Sequence, residues 1–316
     1  MPLESFAAAY LSALYVLFIE LLPFFLLGLV ISALIQEFVS TKSLLKYFGG
    51  NDWASLLRAT TAGLVVSVCS CGAIPIAATL RERGASTASA LTFLLAAPWG
   101  GLLHVFIISK FIGVKNAIIL VTFSLLVAFL VGLILAKLEN KKLIEIGIPK
   151  KHKKAEERLC VECVDAEKLR LKHDDERLSK RIIYCTPKNV WQIFKDVGKY
   201  IIIGLFIAAA LKAFAPSDLV VKYLGNGNNF LPVLIAVPVS AVLELASEGL
   251  AVLGGQLYHL GASLGVVFII TMVGVTTDIT ELSMIWGKFG KRCAIAYLFI
   301  ATTIAILVAW MINIVF

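Results

Sequence analysis

Apolar runs of roughly 20 residues, each closed by a short polar or charged stretch, recur along the chain. They occupy residues 6–35, 60–80, 88–112 and 116–136, then 200–214, 231–257, 262–285 and 293–316. Runs of this length predict transmembrane helices and an all-α polytopic membrane protein. Residues 6–35 exceed a signal-peptide apolar core and lack a basic leader, so they read as a retained span. The run at 60–80 is interrupted by Cys69-Ser70-Cys71-Gly72 and by Pro75. Backbone irregularity at membrane depth survives only against protein or a water-filled cavity. That run therefore reads as part of a binding site, not as a lipid-facing span.

The chain resembles itself. Lys46-Tyr47-Phe48-Gly49 matches Lys222-Tyr223-Leu224-Gly225, and the same offset sets Glu20 on Asp196 and Gly28 on Gly204. With one inserted residue, Gly84-Ala85-Ser86 falls on Gly261-Ala262-Ser263. The pattern predicts an N-terminal membrane repeat at 1–137, a charged loop at 138–189 and a C-terminal membrane repeat at 190–316. Repeated halves are a common build of secondary transporters, with the substrate site between them.

Charge bears on topology. If all eight runs cross fully, Lys42, Lys46, Arg58, Lys288, Lys291 and Arg292 lie opposite the basic loop, against the positive-inside tendency. If the second run of each half enters and turns back, these residues share the loop's side with Arg81 and Arg83. Each half then has three crossings, and the halves are inverted. The second arrangement is the favoured expectation, with loop 138–189 cytoplasmic and the protein multi-pass in the cell membrane.

Composition agrees with this reading. The chain is 59% hydrophobic, above the about 45–50% of soluble domains, and its mean hydropathy is +0.90. The formal charge of +8 fits basic cytoplasmic loops. Basic residues without interleaved aromatics exclude a nucleic-acid partner. The expected partners are the bilayer and a small ion or small molecule, with homo-oligomerisation left open. No cofactor is expected. No Walker A or His-Glu-x-x-His signature is present, so neither ATP drive within this chain nor enzymatic activity is expected.

Candidate chemistry concentrates at matched points of the two halves. Thiols favour soft or borderline metals. Cys69 and Cys71 are i and i+2 and converge on one ion only if the backbone unwinds, which Gly72 and Pro75 favour. Free cysteine also packs as a small hydrophobe, which is the plain alternative. The second-half counterpart of Cys69–Cys71 is Ala246–Glu248, with Glu244 and Ser247 beside it. Acids at bilayer depth are costly and so point to cation ligation or proton transfer, unless the segment end lies at the interface. The offset also pairs Gly101 with Asp278 and His104 with Glu281, and His104 follows the helix-breaking run around Pro98. The metal-ligand set read from sequence is Cys69, Cys71, Glu244, Glu248 and His104. In the loop, Cys160-Val161-Glu162-Cys163 has zinc-knuckle spacing that Cys185, His152 or His173 would complete, against a plain solvated loop.

Ser67-Val68-Cys69-Ser70-Cys71-Gly72-Ala73-Ile74-Pro75, then Leu80, Gly84 and Phe93-Leu94-Leu95-Ala96-Ala97-Pro98, resemble the predicted permease family that includes organoarsenical efflux permeases and proposed copper/zinc efflux transporters. The resemblance covers most of both halves outside the loop. It implies an integral membrane permease with eight apolar segments. It carries the family's cysteine motif onto Cys69 and Cys71 and its proline motif onto Pro75 and Pro98. Glu244, Ser247 and Glu248 depart from the Cys/Pro-like signature common in that family's second half. This departure favours a cation with mixed sulfur and oxygen ligands over an organoarsenical.

The leading expectation is a secondary transporter exporting a soft or borderline metal ion or metalloid. Cys69 and Cys71 bind it, and His104, Glu244, Glu248, Asp278 and Glu281 complete the site or exchange protons. Two alternatives stand beside it: a transporter of a sulfur-containing anion, and an intramembrane thiol oxidoreductase.

Overall fold

A computed structural model describes residues 47–144 except 69 and 101, residues 230–315 except 244–246, and scattered positions at 10–31 and 187–206. Among these residues the chain is almost wholly helical, with no strand. In the first half, helix α1 (Trp53–Val66) is followed by α2 (Ser70–Glu82), α3 (Thr87–Ala96), a 3-10 turn (Ala97–Gly100), α4 (Leu102–Ile112) and α5 (Val114–Asn140). In the second half, α6 (Phe230–Leu243) is followed by α7 (Ser247–His259), α8 (Leu264–Thr276), α9 (Ile279–Met284), a π segment (Ile285–Phe289) and α10 (Lys291–Val315).

Local chemistry sets the boundaries. Asp52 caps α1: its Oδ2 accepts from the Ser55 amide at 3.3 Å and its Oδ1 accepts from the Ser55 hydroxyl at 2.7 Å. The hydroxyl bond holds the Asp52 carboxyl below the usual carboxylate range. Helix α1 stops at Ser67, which adopts the left-handed conformation with φ 55°. Ser86 and Ser263 cap α3 and α8 with their hydroxyls. Gly84 and Gly261, with φ near 99° and 94°, turn the chain into those caps.

These features recur at one spacing. The starts of α1 and α6, of α2 and α7, of α3 and α8, and of α5 and α10 each lie 177 residues apart. The positive-φ pairs Gly84/Gly261 and Gly113/Gly290 obey the same spacing.

The apolar run at 60–80 is not one segment. It divides between α1 and α2 at Ser67 and Val68, just ahead of the thiols. Gly72 and Pro75 lie inside α2, so the unwinding expected at those two residues falls earlier, where Ser67 reverses its φ. The run at 231–257 likewise divides into α6 and α7. Helix α5 continues three residues past the expected loop boundary at 137. Its last turn is held because the buried Glu139 carboxylate accepts the amides of Thr87 and Ala88 at 3.1 and 3.2 Å. That places an acid on the N-terminal end of α3, where the helix dipole favours it.

Packing separates a core from an apolar surface. All ten residues of α3 and all thirteen of α8 are buried. α3 packs on α1, α2 and α5, and α8 packs on α6, α7 and α10. In α5 and α10 the large side chains Val114, Ile118, Leu126, Ile295, Phe299, Leu307 and Trp310 are exposed, a pattern suited to lipid. Among the described residues three stretches are long and apolar enough to cross a membrane: Val114–Asn140, Leu264–Phe289 and Lys291–Val315. Thr87–Gly100 with His104–Ile112, bent by 55°, makes a fourth if counted as one span.

Hydrogen bonds orient these elements. The Ser86 amide donates to the Phe48 carbonyl at 2.9 Å and its hydroxyl to the Gly50 carbonyl at 3.1 Å. Residues just before α1 thus sit beside the turn that follows α2, so α1 and α2 form a hairpin that reverses from Ser67 onward. Helix α2 has 13 residues, so the tip lies about 20 Å from that turn. Asn51 also donates to Asn140 at 3.0 Å, which puts the end of α5 at the hairpin's open end.

Candidate functional site

The two halves interlock crosswise. Helix α2, which carries Cys71, Gly72 and Pro75, packs on α9, which carries Glu281. Helix α7, which begins at Ser247 and Glu248, packs on α4, which carries His104. The elements bearing the sequence-predicted groups of one half therefore meet those of the other. Four of the predicted residues differ in how far they are described. Cys69 and Glu244 lie outside the described residues. Cys71 and Glu248 are placed on helices by their backbones, and their side chains are outside the description, as is that of Ser247.

Pro75 shapes the tip of the first half. It has no N–H, so the Cys71 carbonyl four residues earlier has no helical donor. Pro98 lies buried in the 3-10 turn that bends α3 away from α4.

Glu281 is the most constrained of the predicted groups. It is 0% exposed, which decides that its carboxyl must be satisfied by protein or ligand. One oxygen accepts from the Tyr297 hydroxyl at 2.7 Å. The other, Oε2, has no hydrogen-bond partner among the described residues. Tyr297 is itself fully buried on α10. Asp278 is committed to local structure: its Oδ1 accepts the amides of Thr280 and Glu281 at 2.7 and 3.4 Å and so caps α9. His104, at the position matching Glu281, is buried with its ring edge-on to Trp99, centroids 5.1 Å apart.

Among the described residues no three His, Cys, Asp or Glu side chains gather into a metal site. The loop residues His152, Cys160, Cys163, His173 and Cys185 also lie outside the described residues.

Sequence reasoning missed the groups that join the halves. Lys288 forms a salt bridge with Glu82 at 2.9 Å. Arg81 donates to the Lys288 carbonyl and lies 4.6 Å from the Phe289 ring centroid. Elsewhere, Asn116 donates to the Tyr258 hydroxyl at 3.2 Å, and the rings of Phe111 and His259 lie 6.0 Å apart. The spacing of 177 was the signal available for them: it carries position 82 to 259 and position 111 to 288.

Comparison with known proteins places this architecture among permeases. The profile of a family described as predicted permease (ArsP_1) matches residues 6–314. A Streptococcus mutans protein named as a two-component membrane permease complex subunit is 25% identical over 295 residues, covering 92% of this chain and 90% of that protein. The UPF0718 protein YcgR of Bacillus subtilis is 27% identical over 279 residues, with 87% and 86% covered. A UPF0718 protein of Methanocaldococcus jannaschii is 25% identical over 307 residues, with 84% of each chain covered. No solved structure matches.

Proposed function

The chain belongs to the predicted permease family, and from that premise we propose that it is a secondary transporter of the cell membrane. It exports a soft or borderline metal ion or metalloid through a site between two inverted repeats, 1–137 and 190–316. The observation that carries this reading is the crosswise packing of α2 on α9 and of α7 on α4, with a buried carboxyl oxygen of Glu281 left for a ligand. A broken helix whose thiol-bearing element packs on the acid-bearing element of the other repeat is a transporter-like arrangement. Cys69 and Cys71 supply sulfur. Glu244 and Glu248 supply oxygen, and His104 and Glu281 line the crossing. Ser247, Gly72, Pro75 and Pro98 shape the passage, and Asp278 holds α9.

Several features support the inverted arrangement with re-entrant hairpins. The first hairpin opens where α5 ends, so loop 138–189 emerges on the face that holds Arg81 and Lys288. That clustering of basic residues fits a cytoplasmic face. Each half then contributes three crossings and one re-entrant hairpin.

Substrate binding is tested on the purified full chain in detergent, with Cys160, Cys163 and Cys185 replaced by serine. Zn(II), Cu(I) and As(III) are offered in turn. The parent should retain one of them stoichiometrically, and Cys69→Ser/Cys71→Ser should lose it. Equal retention, or none by either protein, rejects the metal reading.

A second reading is transport of a sulfur-containing anion. Helices α2 and α7 both begin at internal breaks, so their positive N-terminal ends point into the protein, as suits an anion.

A further inference from the structure

We propose that the Glu82–Lys288 contact and the Phe111–His259 contact are the two closures of one passage, on opposite membrane faces, and that they open alternately. The inference rests on the transporter reading above and deepens it.

The two contacts are the same contact made twice. Adding 177 to 82 and subtracting 177 from 288 converts the first pair into the second. Each joins the C-terminal end of α2 or α7 to the end of the span of the other half, Phe289 or Ile112. Each span end is followed at once by a positive-φ glycine, Gly113 at φ 85° or Gly290 at φ 106°. Such residues absorb changes of direction without a side-chain penalty.

Helix α5 shows that the contacts lie on opposite faces. Near its start, Asn116 bonds Tyr258, next to His259. Near its end, Glu139 bonds Thr87, five residues beyond Glu82. Those two points of the helix are separated by about 34 Å, a membrane thickness.

The chemistry of the two closures differs. On the loop face the closure is an ion pair, with its side chains 16% and 26% exposed. A partly exposed ion pair adds little stability and breaks readily. The π segment Ile285–Phe289 contains Lys288, whereas the matching residues in α4 are α-helical. Single π turns inside helices recur at functional sites. On the other face the closure is aromatic. Gly255 of α7 lies so close to the Phe111 side chain that a methyl there would collide with it.

The test needs no substrate. All six cysteines of the full chain are replaced by serine, and single reporters are placed at Ala85 and Ala262, a matched pair 6% and 4% exposed. An impermeant maleimide is applied to right-side-out and inside-out vesicles. Glu82→Ala should raise labelling of the residue 85 reporter several-fold from the loop face and lower that of the residue 262 reporter from the opposite face. Phe111→Ala should do the reverse. The exchange Glu82→Lys with Lys288→Glu should return both reporters to parent values. High salt should move the parent as Glu82→Ala does. If both reporters rise together, the contacts are mere packing and the proposal is overturned. No change in either reporter overturns it as well. Should Glu82→Ala not fold, Glu82→Gln and the exchanged pair carry the same comparison. A failed metal-binding result would strike the substrate reading and leave reciprocal labelling intact, so the two failures are separable.

Discussion

A buried carboxyl with one bonded oxygen and one open oxygen is a costly thing to keep in an apolar core. Glu281 is such a group, and Tyr297 is what makes it tolerable. Removing the hydroxyl leaves both carboxyl oxygens without a donor among the described residues. A lost partner of this kind costs about 1–3 kcal/mol. Tyr297→Phe should therefore lower the thermal midpoint of the detergent-purified protein, while Tyr10→Phe, whose 3.4 Å bond is exposed, leaves it in place. An unchanged midpoint in Tyr297→Phe would mean that Glu281 finds another donor. The residue scale also explains what was legible. His104 and Glu281 stand out in the sequence because polar groups interrupt apolar runs. Tyr297 does not, since a tyrosine in an apolar helix reads as ordinary core.

Among elements, the packing depends on close backbone approach. A Cβ on Gly100 would collide with the Leu64 carbonyl, so the 3-10 turn seats directly on α1. Gly100→Ala should cost about 1–3 kcal/mol by forcing that backbone apart, read as a fall in melting temperature. Gly113→Ala has open space around it and should cost only about 1 kcal/mol for its positive φ. Equal losses in the two variants would refute the close seating. The breaks between elements were half legible. Pro98 marked the bend before α4, because the residues around it cannot continue an α-helix. Ser67 gave no warning: serine rarely adopts positive φ, and its conformation follows from the hairpin it closes. Gly72 and Pro75 pointed to a break that α2 absorbs instead, since proline near the first turns of a helix is tolerated better than proline deep inside one.

For the whole molecule, the two ends of α5 define the faces. Lys115 belongs to the end bonded to Tyr258, and Lys141 to the end where Glu139 bonds Thr87. Single cysteines replacing them in a cysteine-free chain should react with an impermeant reagent from opposite sides of oriented vesicles. Lys141→Cys should share its side with a cysteine at Glu82. Labelling of both from one side would reject the threading of α5 across the membrane.

What the sequence by itself determined is the class: helical and membrane-embedded, with polar groups interrupting its apolar runs. Apolar length and composition suffice for that, because a bilayer leaves helices few alternatives. The partners of each polar group were decided only by the tertiary structure. Periodicity describes one helix at a time, whereas the Glu82–Lys288 contact joins positions 206 residues apart. Such a contact exists only because the ends of two separate helices are brought to the same face.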